Sequence, residues 1–137
     1  LADFDQTVFQ GINGPIFALL ALDSGAYDIP ENIAGTTQAT RDGYVDYILN
    51  AELPGGGWSF AGGDAETDIT AMALQALAKY RDRKDVSEAV ERGLTVLSQQ
   101  QEENGSSRTD FLLIYKVFSF TVLVMGISKS TKYIFIF

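Results

Sequence analysis

With neither cysteine nor histidine among its 137 residues, this chain has only carboxylates and tyrosines with which to do chemistry. The absence removes thiolate nucleophiles, imidazole bases and the usual zinc ligands together. What remains is proton transfer by a carboxyl group, or cation binding by several of them. The acids crowd in two places, Asp64, Glu66 and Asp68, and then Glu102, Glu103 and Asp110. Neither group has the ligand order of a calcium loop, so both read as solvated surface carboxylates and no metal is expected. Glu66, Thr67 and Asp68 also stand just ahead of an apolar run, where Thr67 or Asp68 would cap a helix and Glu66 would complement its dipole. Tyr27, Tyr44, Tyr47 and Tyr80 read as helix-packing residues rather than as a ligand cage.

Four helices are expected to position these groups. Asn13-Gly14-Pro15 opens the first, since proline is tolerated at the first helical position, and Ile16, Leu19 and Leu20 continue it. Gly25 closes it, where a left-handed residue is needed. The second covers about 38–53, with Tyr44, Val45, Ile48, Leu49 and Leu53 on one buried stripe and Arg41, Asp46 and Asn50 opposite. Five glycines, at 55, 56, 57, 62 and 63, then enclose Trp58 and Phe60 in a tight turn with an aromatic plug. The third helix, about 67–80, is apolar nearly all round and should be buried. The fourth, about 85–101, sets Val86, Ala89, Val90, Leu94 and Leu97 against a charged face. The alternation predicts inner and outer helices in turn.

The same material recurs. Ile48-Leu49 returns as Val96-Leu97, and Gly57 as Gly105, 48 positions later, while Ala18-Leu19 and Ala21-Leu22 return as Ala73-Leu74 and Ala76-Leu77 at 55. The two offsets agree if residues 29–41 carry an insertion in the first unit. Each unit then reads as a helical hairpin, about 13–58 and 66–106, with a period near the upper end for solenoid repeats.

All 18 acidic residues and seven of the 10 basic ones lie within 1–110, a net charge of −11 for that body. Nucleic-acid binding, which needs basic stripes, is not expected. From Phe111 the sequence turns apolar up to Phe137, with Lys116 inside it. A membrane span is one reading, but the stretch is short and follows an acidic flank. A core helix or pair of strands is a second reading, and a tail not native to the domain is a third. The chain opens on Leu1 without a basic region leading into an apolar stretch, so no signal peptide is expected and it reads as a piece of something longer.

Gly43, Tyr47, Ile48, Glu52, Gly56 and Trp58 resemble the QW motif of squalene and hopene cyclases, with Glu52 in place of its glutamine and Asp42 in place of its basic residue. Arg92, Gly93, Leu97, Gln101 and Gly105 match a second copy, where Val96 replaces the aromatic and Ser107 the tryptophan. The stretch from Gly56-Gly57-Trp58-Ser59-Phe60 through Asp68 to Ala78 is more similar still to the prenyltransferase and squalene-oxidase repeats of bacterial cell-surface proteins. Those are similar in turn to the helical domain of the transcobalamin and intrinsic factor family. The resemblance implies an all-α fold over residues 1–110, part of an α/α toroid of hairpins joined by glycine-aromatic turns. It also implies a location outside the cell or on its surface.

Two functions follow from the resemblance. One is a non-catalytic binding or scaffold module, its ligand a corrinoid or isoprenoid near Trp58, Phe60, Glu66 and Asp68, its other partners the remaining repeats of a longer chain. The alternative is a terpene cyclase or prenyltransferase relative in which Asp68 protonates an alkene. The cyclase motif Asp-x-Asp-Asp-Thr-Ala falls on Glu66-Thr67-Asp68-Ile69-Thr70-Ala71, so its third carboxylate is an isoleucine here. A carboxylic acid beside an apolar substrate depends on hydrogen-bonded neighbours to hold its proton poised. The zinc site of protein prenyltransferases needs cysteine and histidine, so no cofactor is expected.

Overall fold

The computed structural model describes residues 1–33 and 37–101. The expectations for the apolar tail and for Glu102, Glu103, Gly105 and Asp110 lie outside the described residues. Among the described residues five α-helices follow one another: α1 (Phe4–Val8), α2 (Asn13–Ser24), α3 (Arg41–Asn50), α4 (Thr67–Leu77) and α5 (Lys84–Gln100). A turn of 3₁₀ helix, Ala78–Tyr80, extends α4. No strand occurs among the described residues.

α2, α4 and α5 begin and end within a few residues of the positions their patterns predict. α3 is shorter than expected at both ends. The Thr40 side chain takes the hydrogen bond of the Gly43 N–H and starts the helix there, because residues 38–39 are already engaged: Gln38 bridges Asp3, and the Ala39 N–H donates to the Ala2 carbonyl. α1 was not anticipated, since five residues carry no readable period. Asp3 caps it by accepting from the Gln6 N–H. Its Phe4 ring stacks on Tyr44, centroids 5.6 Å apart, and meets Tyr47 edge-on at 6.2 Å.

The expected left-handed Gly25 is corrected by one position. Gly25 has φ −134°, and the positive φ belongs to Ala26, at 53°. A Cβ on Gly25 would lie 2.5 Å from the ring of the exposed Tyr27, which would have to shift to admit it.

The helices form two side-by-side hairpins in two layers. Arg41, at the start of α3, donates to the Leu22 carbonyl and the Asp23 carboxylate at the end of α2, so these helices are antiparallel. Thr67, at the start of α4, donates to Gln100 at the end of α5, and the second pair is antiparallel too. Between hairpins the Tyr80 hydroxyl, just past α4, donates to Asp23 near the end of α2. Phe60, ahead of α4, lies against Gly11, ahead of α2. α2 and α4 therefore run side by side in one direction, and α3 and α5 form the layer behind them, joined by Arg83 to Asp46 and Arg92 to Glu52.

The core lies between the layers. Ile16, Leu19 and Leu22 of α2 and Leu74 and Leu77 of α4 meet Tyr44, Val45 and Ile48 of α3 and Val86, Ala89 and Val90 of α5. Each fully buried large side chain contributes about 1.5–3 kcal/mol by leaving water. The continuous apolar surface of α4 is accounted for by this placement, since α2 and α5 both pack against it.

Candidate functional site

The turn that carries Trp58 fixes the start of α4. Gly56 and Gly57 have φ of 87° and 76°, a region that side chains disfavour, and a Cβ on Gly57 would come within 2.9 Å of Ala65 and 3.0 Å of Thr70 Oγ1. Trp58 enters the core through this bend and is wholly buried. Its indole N–H donates to the Ile48 carbonyl at 2.7 Å, which supplies a donor to a carbonyl in the last turn of α3. Its backbone N–H donates to Thr70 Oγ1 at 3.0 Å, and the Thr70 hydroxyl donates back to the Trp58 carbonyl at 3.2 Å. Gly93 of α5 makes room for the ring, for a Cβ there would stand 2.9 Å from both the indole and Leu74.

The four residues singled out around this turn separate in space. Trp58 presents no surface to a ligand. Phe60 is 57% exposed. Glu66 is half-buried and accepts from the Ser59 hydroxyl at 3.0 Å. Asp68, two residues on, points to a different side of α4. The expected capping roles are also redistributed. Glu66 is the N-cap residue and its side chain makes no capping bond. The Thr67 hydroxyl goes instead to Gln100 of α5. Asp68 lies in the first turn, where its charge complements the helix dipole.

α4 shows its partly exposed positions on the side away from α5, at Asp68, Met72, Gln75 and Lys79. These follow the i, i+4, i+7, i+11 spacing of one helix face. Shifted by the 55-residue offset they fall on Asn13, Phe17, Leu20 and Ser24, each of them half-buried or exposed on α2. The two parallel helices thus offer one shared open face. Carboxamide and carboxylate lie at its N-terminal end, Phe17, Leu20 and Met72 in the middle, and Ser24 and Lys79 at the far end. Phe17 is 56% exposed, which is unusual for a phenylalanine flanked by a packed core.

Asp68 is distinctive among the acids. Among the described residues the other half-buried carboxylates all have partners: Asp3 accepts from Gln6, Asp23 from Tyr80 and Arg41, Glu52 from Arg92, and Glu66 from Ser59. Among the described residues no hydrogen bond or ion pair reaches the Asp68 side chain, and Ile69 beside it is buried. Asn13, its counterpart on α2, has a buried Oδ1 that accepts no hydrogen bond.

A polar clasp closes the other end. Asp23 receives the Tyr80 hydroxyl at 2.7 Å and Arg41 Nε at 2.9 Å, and Lys79 Nζ stands 3.7 Å away. Burial, and then the bond to Asp23, push the Tyr80 phenol well above the ordinary tyrosine range. Arg41 is raised mainly by its bond to Asp23.

Asn13, Phe17, Met72 and Lys79 were not read from the sequence as site residues. The signal that finds them is the 55-residue offset, applied to the positions the core leaves uncovered rather than to the alanines and leucines it buries. Among the described residues no group of three or more acids could hold a metal ion, and no helix is long and apolar enough to cross a membrane.

No family model and no solved structure matches the chain. Over 83 residues, 61% of its length, the chain is 30% identical to a protein described as lanosterol synthase erg7A from Aspergillus fumigatus. That stretch is 11% of the relative's own length, so the chain spans a small part of the protein it matches. The likeness agrees with a terpenoid-cyclase kind of helical repeat.

Proposed function

We propose that these hairpins are part of an α/α-toroid repeat domain that binds a small, largely apolar ligand on the α2/α4 face and does no chemistry on it. The observation that carries this reading is the surroundings of Asp68. A carboxylic acid that protonates an alkene needs polar neighbours to hold its proton in place. Among the described residues Asp68 has no hydrogen-bonded neighbour, Ile69 occupies the place of a third carboxylate, and Asn13 repeats the position on α2 as a group that cannot donate a strongly acidic proton. The middle of the face is apolar enough to take a ligand's body, and α3 and α5 support it from behind. Corrinoids and isoprenoids are the ligand classes to try first, further hairpins the neighbours that would complete the ring, and the cell surface the proposed location.

The second reading is a terpene cyclase, which the likeness to lanosterol synthase favours. One experiment separates the two. The intact protein is incubated with squalene or a prenyl diphosphate and its products analysed, beside a titration with cobalamin and with the same isoprenoids. Saturable binding without turnover is the expected result. Cyclised product that disappears in Asp68→Asn would establish the enzyme instead.

A further inference from the structure

We propose that Asn13-Gly14, at the corner where α1 leads into α2, is a site of self-catalysed deamidation that the fold holds closed and that opening of the corner exposes. The glycine is imposed by packing. A Cβ at residue 14 would lie 1.8 Å from the Thr7 carbonyl oxygen, a backbone atom of α1 that no rotamer change moves aside. The chain therefore carries here the dipeptide in which the amide nitrogen following an asparagine is least shielded, since glycine has no side chain to cover it. In the reaction the Gly14 nitrogen loses its proton to solvent and attacks Asn13 Cγ. The new N–C bond closes a cyclic imide, the Cγ–Nδ2 bond breaks, and the leaving nitrogen takes a proton from solvent and departs as ammonia. Water then opens the imide at either carbonyl, giving aspartate, or isoaspartate with an extra carbon in the main chain.

The folded corner opposes each step. Asn13 lies in the first turn of α2, where helical backbone turns the Gly14 nitrogen away from Cγ. The Gly14 N–H donates to the Gly11 carbonyl at 3.2 Å, which holds the proton that must leave. Asn13 Oδ1 is buried and meets no donor among the described residues, so nothing draws electron density from Cγ to help the attack. Release is local. None of the five residues of α1 is fully buried. The corner is held by the Phe4 ring on Tyr44 and Tyr47 and by the Tyr44 hydroxyl, which donates to Thr7 Oγ1 at 3.1 Å. So short and shallow an element opens ahead of the core. Isoaspartate at position 13 lengthens the main chain where Gly14 has no slack against Thr7, so conversion makes the opening permanent.

The test incubates the full chain at neutral pH and follows Asn13 by peptide mapping, in which mass and elution separate asparagine, aspartate and isoaspartate. Conversion in the native protein is expected to be at least about tenfold slower than in the same chain unfolded in urea. Phe4→Ala, which removes the ring that docks α1, should speed native conversion severalfold, and the milder Phe4→Leu should do so to a smaller extent. Asp23→Ala, at the far end of α2, should leave the rate within about twofold of the native one. Equal rates in the native and unfolded chains, or no conversion in either, would overturn the site. Acceleration by Asp23→Ala as large as that by Phe4→Ala would mean exposure through global unfolding and overturn the role of the corner, as would a native rate in both Phe4 variants. Circular dichroism establishes that each variant keeps its helices.

Discussion

In the α4/α5 hairpin the connection is residues 78–83, half of it a continuing turn of 3₁₀ helix, whereas in the α2/α3 hairpin it is residues 25–40. Loop closure grows slowly with length, so the longer connection costs less than about 1 kcal/mol more. It is also pinned along its course. Arg41 donates to the Tyr27 carbonyl at 2.6 Å, Gln38 accepts from the Asn32 N–H and donates to the Pro30 carbonyl, and Phe4 donates to the Thr37 carbonyl. The short connection needs less, and Arg83 serves it while pairing with Asp85 and reaching back to Asp46. The difference shows what a repeat must conserve physically. The connections are free to diverge, but the contacts between hairpins are not, because they set how α2 lies beside α4.

Those contacts differ in depth, and substitutions along them should separate accordingly. Trp58→Ala is expected to have the largest effect, a loss of about 3–5 kcal/mol in urea unfolding, because it empties a core position and removes the donor to Ile48. A loss under about 1 kcal/mol would mean that the turn does not join the hairpins as described. Next comes Gly57→Ala, at about 1–3 kcal/mol, from positive φ and the close approach of Ala65 and Thr70. Gly55→Ala in the same turn meets nothing within 4 Å and should stay within about 0.5 kcal/mol, so the pair isolates geometry from composition.

The clasp at Asp23 ranks third. Asp23→Ala should cost about 1–2 kcal/mol, having removed the acceptor for Tyr80 and Arg41. The same clasp has a pH signature. Tyr80 holds its proton in the folded state above its unfolded value of about 10, so its contribution is whole below about pH 10 and is lost as the pH rises beyond it. The urea midpoint of the native chain is therefore expected to fall above about pH 10, and to fall less steeply in Tyr80→Phe. The smallest effect belongs to Arg92→Ala. Its two bonds to Glu52 are 2.8 Å long, but Arg92 is half exposed, and an ion pair of that kind contributes about 0.2–1 kcal/mol. A loss as large as that of Trp58→Ala would reverse the order of depth.

Much of this arrangement was legible beforehand. Periodicity placed α2, α4 and α5, and the glycine cluster placed the turn. α1 was not legible, because Phe4–Val8 is too short for a period and is held by Tyr44, Tyr47 and the Asp3–Gln38 bridge, all remote in sequence. The ends of α3 are likewise set by contacts remote in sequence. The candidate residues divide similarly. Trp58 and Glu66 stood out by type, yet one is buried and the other bonded to Ser59, whereas Asn13 and Phe17 looked like ordinary helix residues.

By itself the sequence determined the residue types available for chemistry and the helical pattern, since these depend on composition and on spacing along a single element. Only the tertiary structure decided that Asp68 is, among the described residues, the half-buried acid without a partner and that Phe17 and Met72 lie on the same open face. Whether a carboxylate has a partner depends on groups brought near it by packing, and whether a helix face stays open depends on which neighbours arrive to cover it.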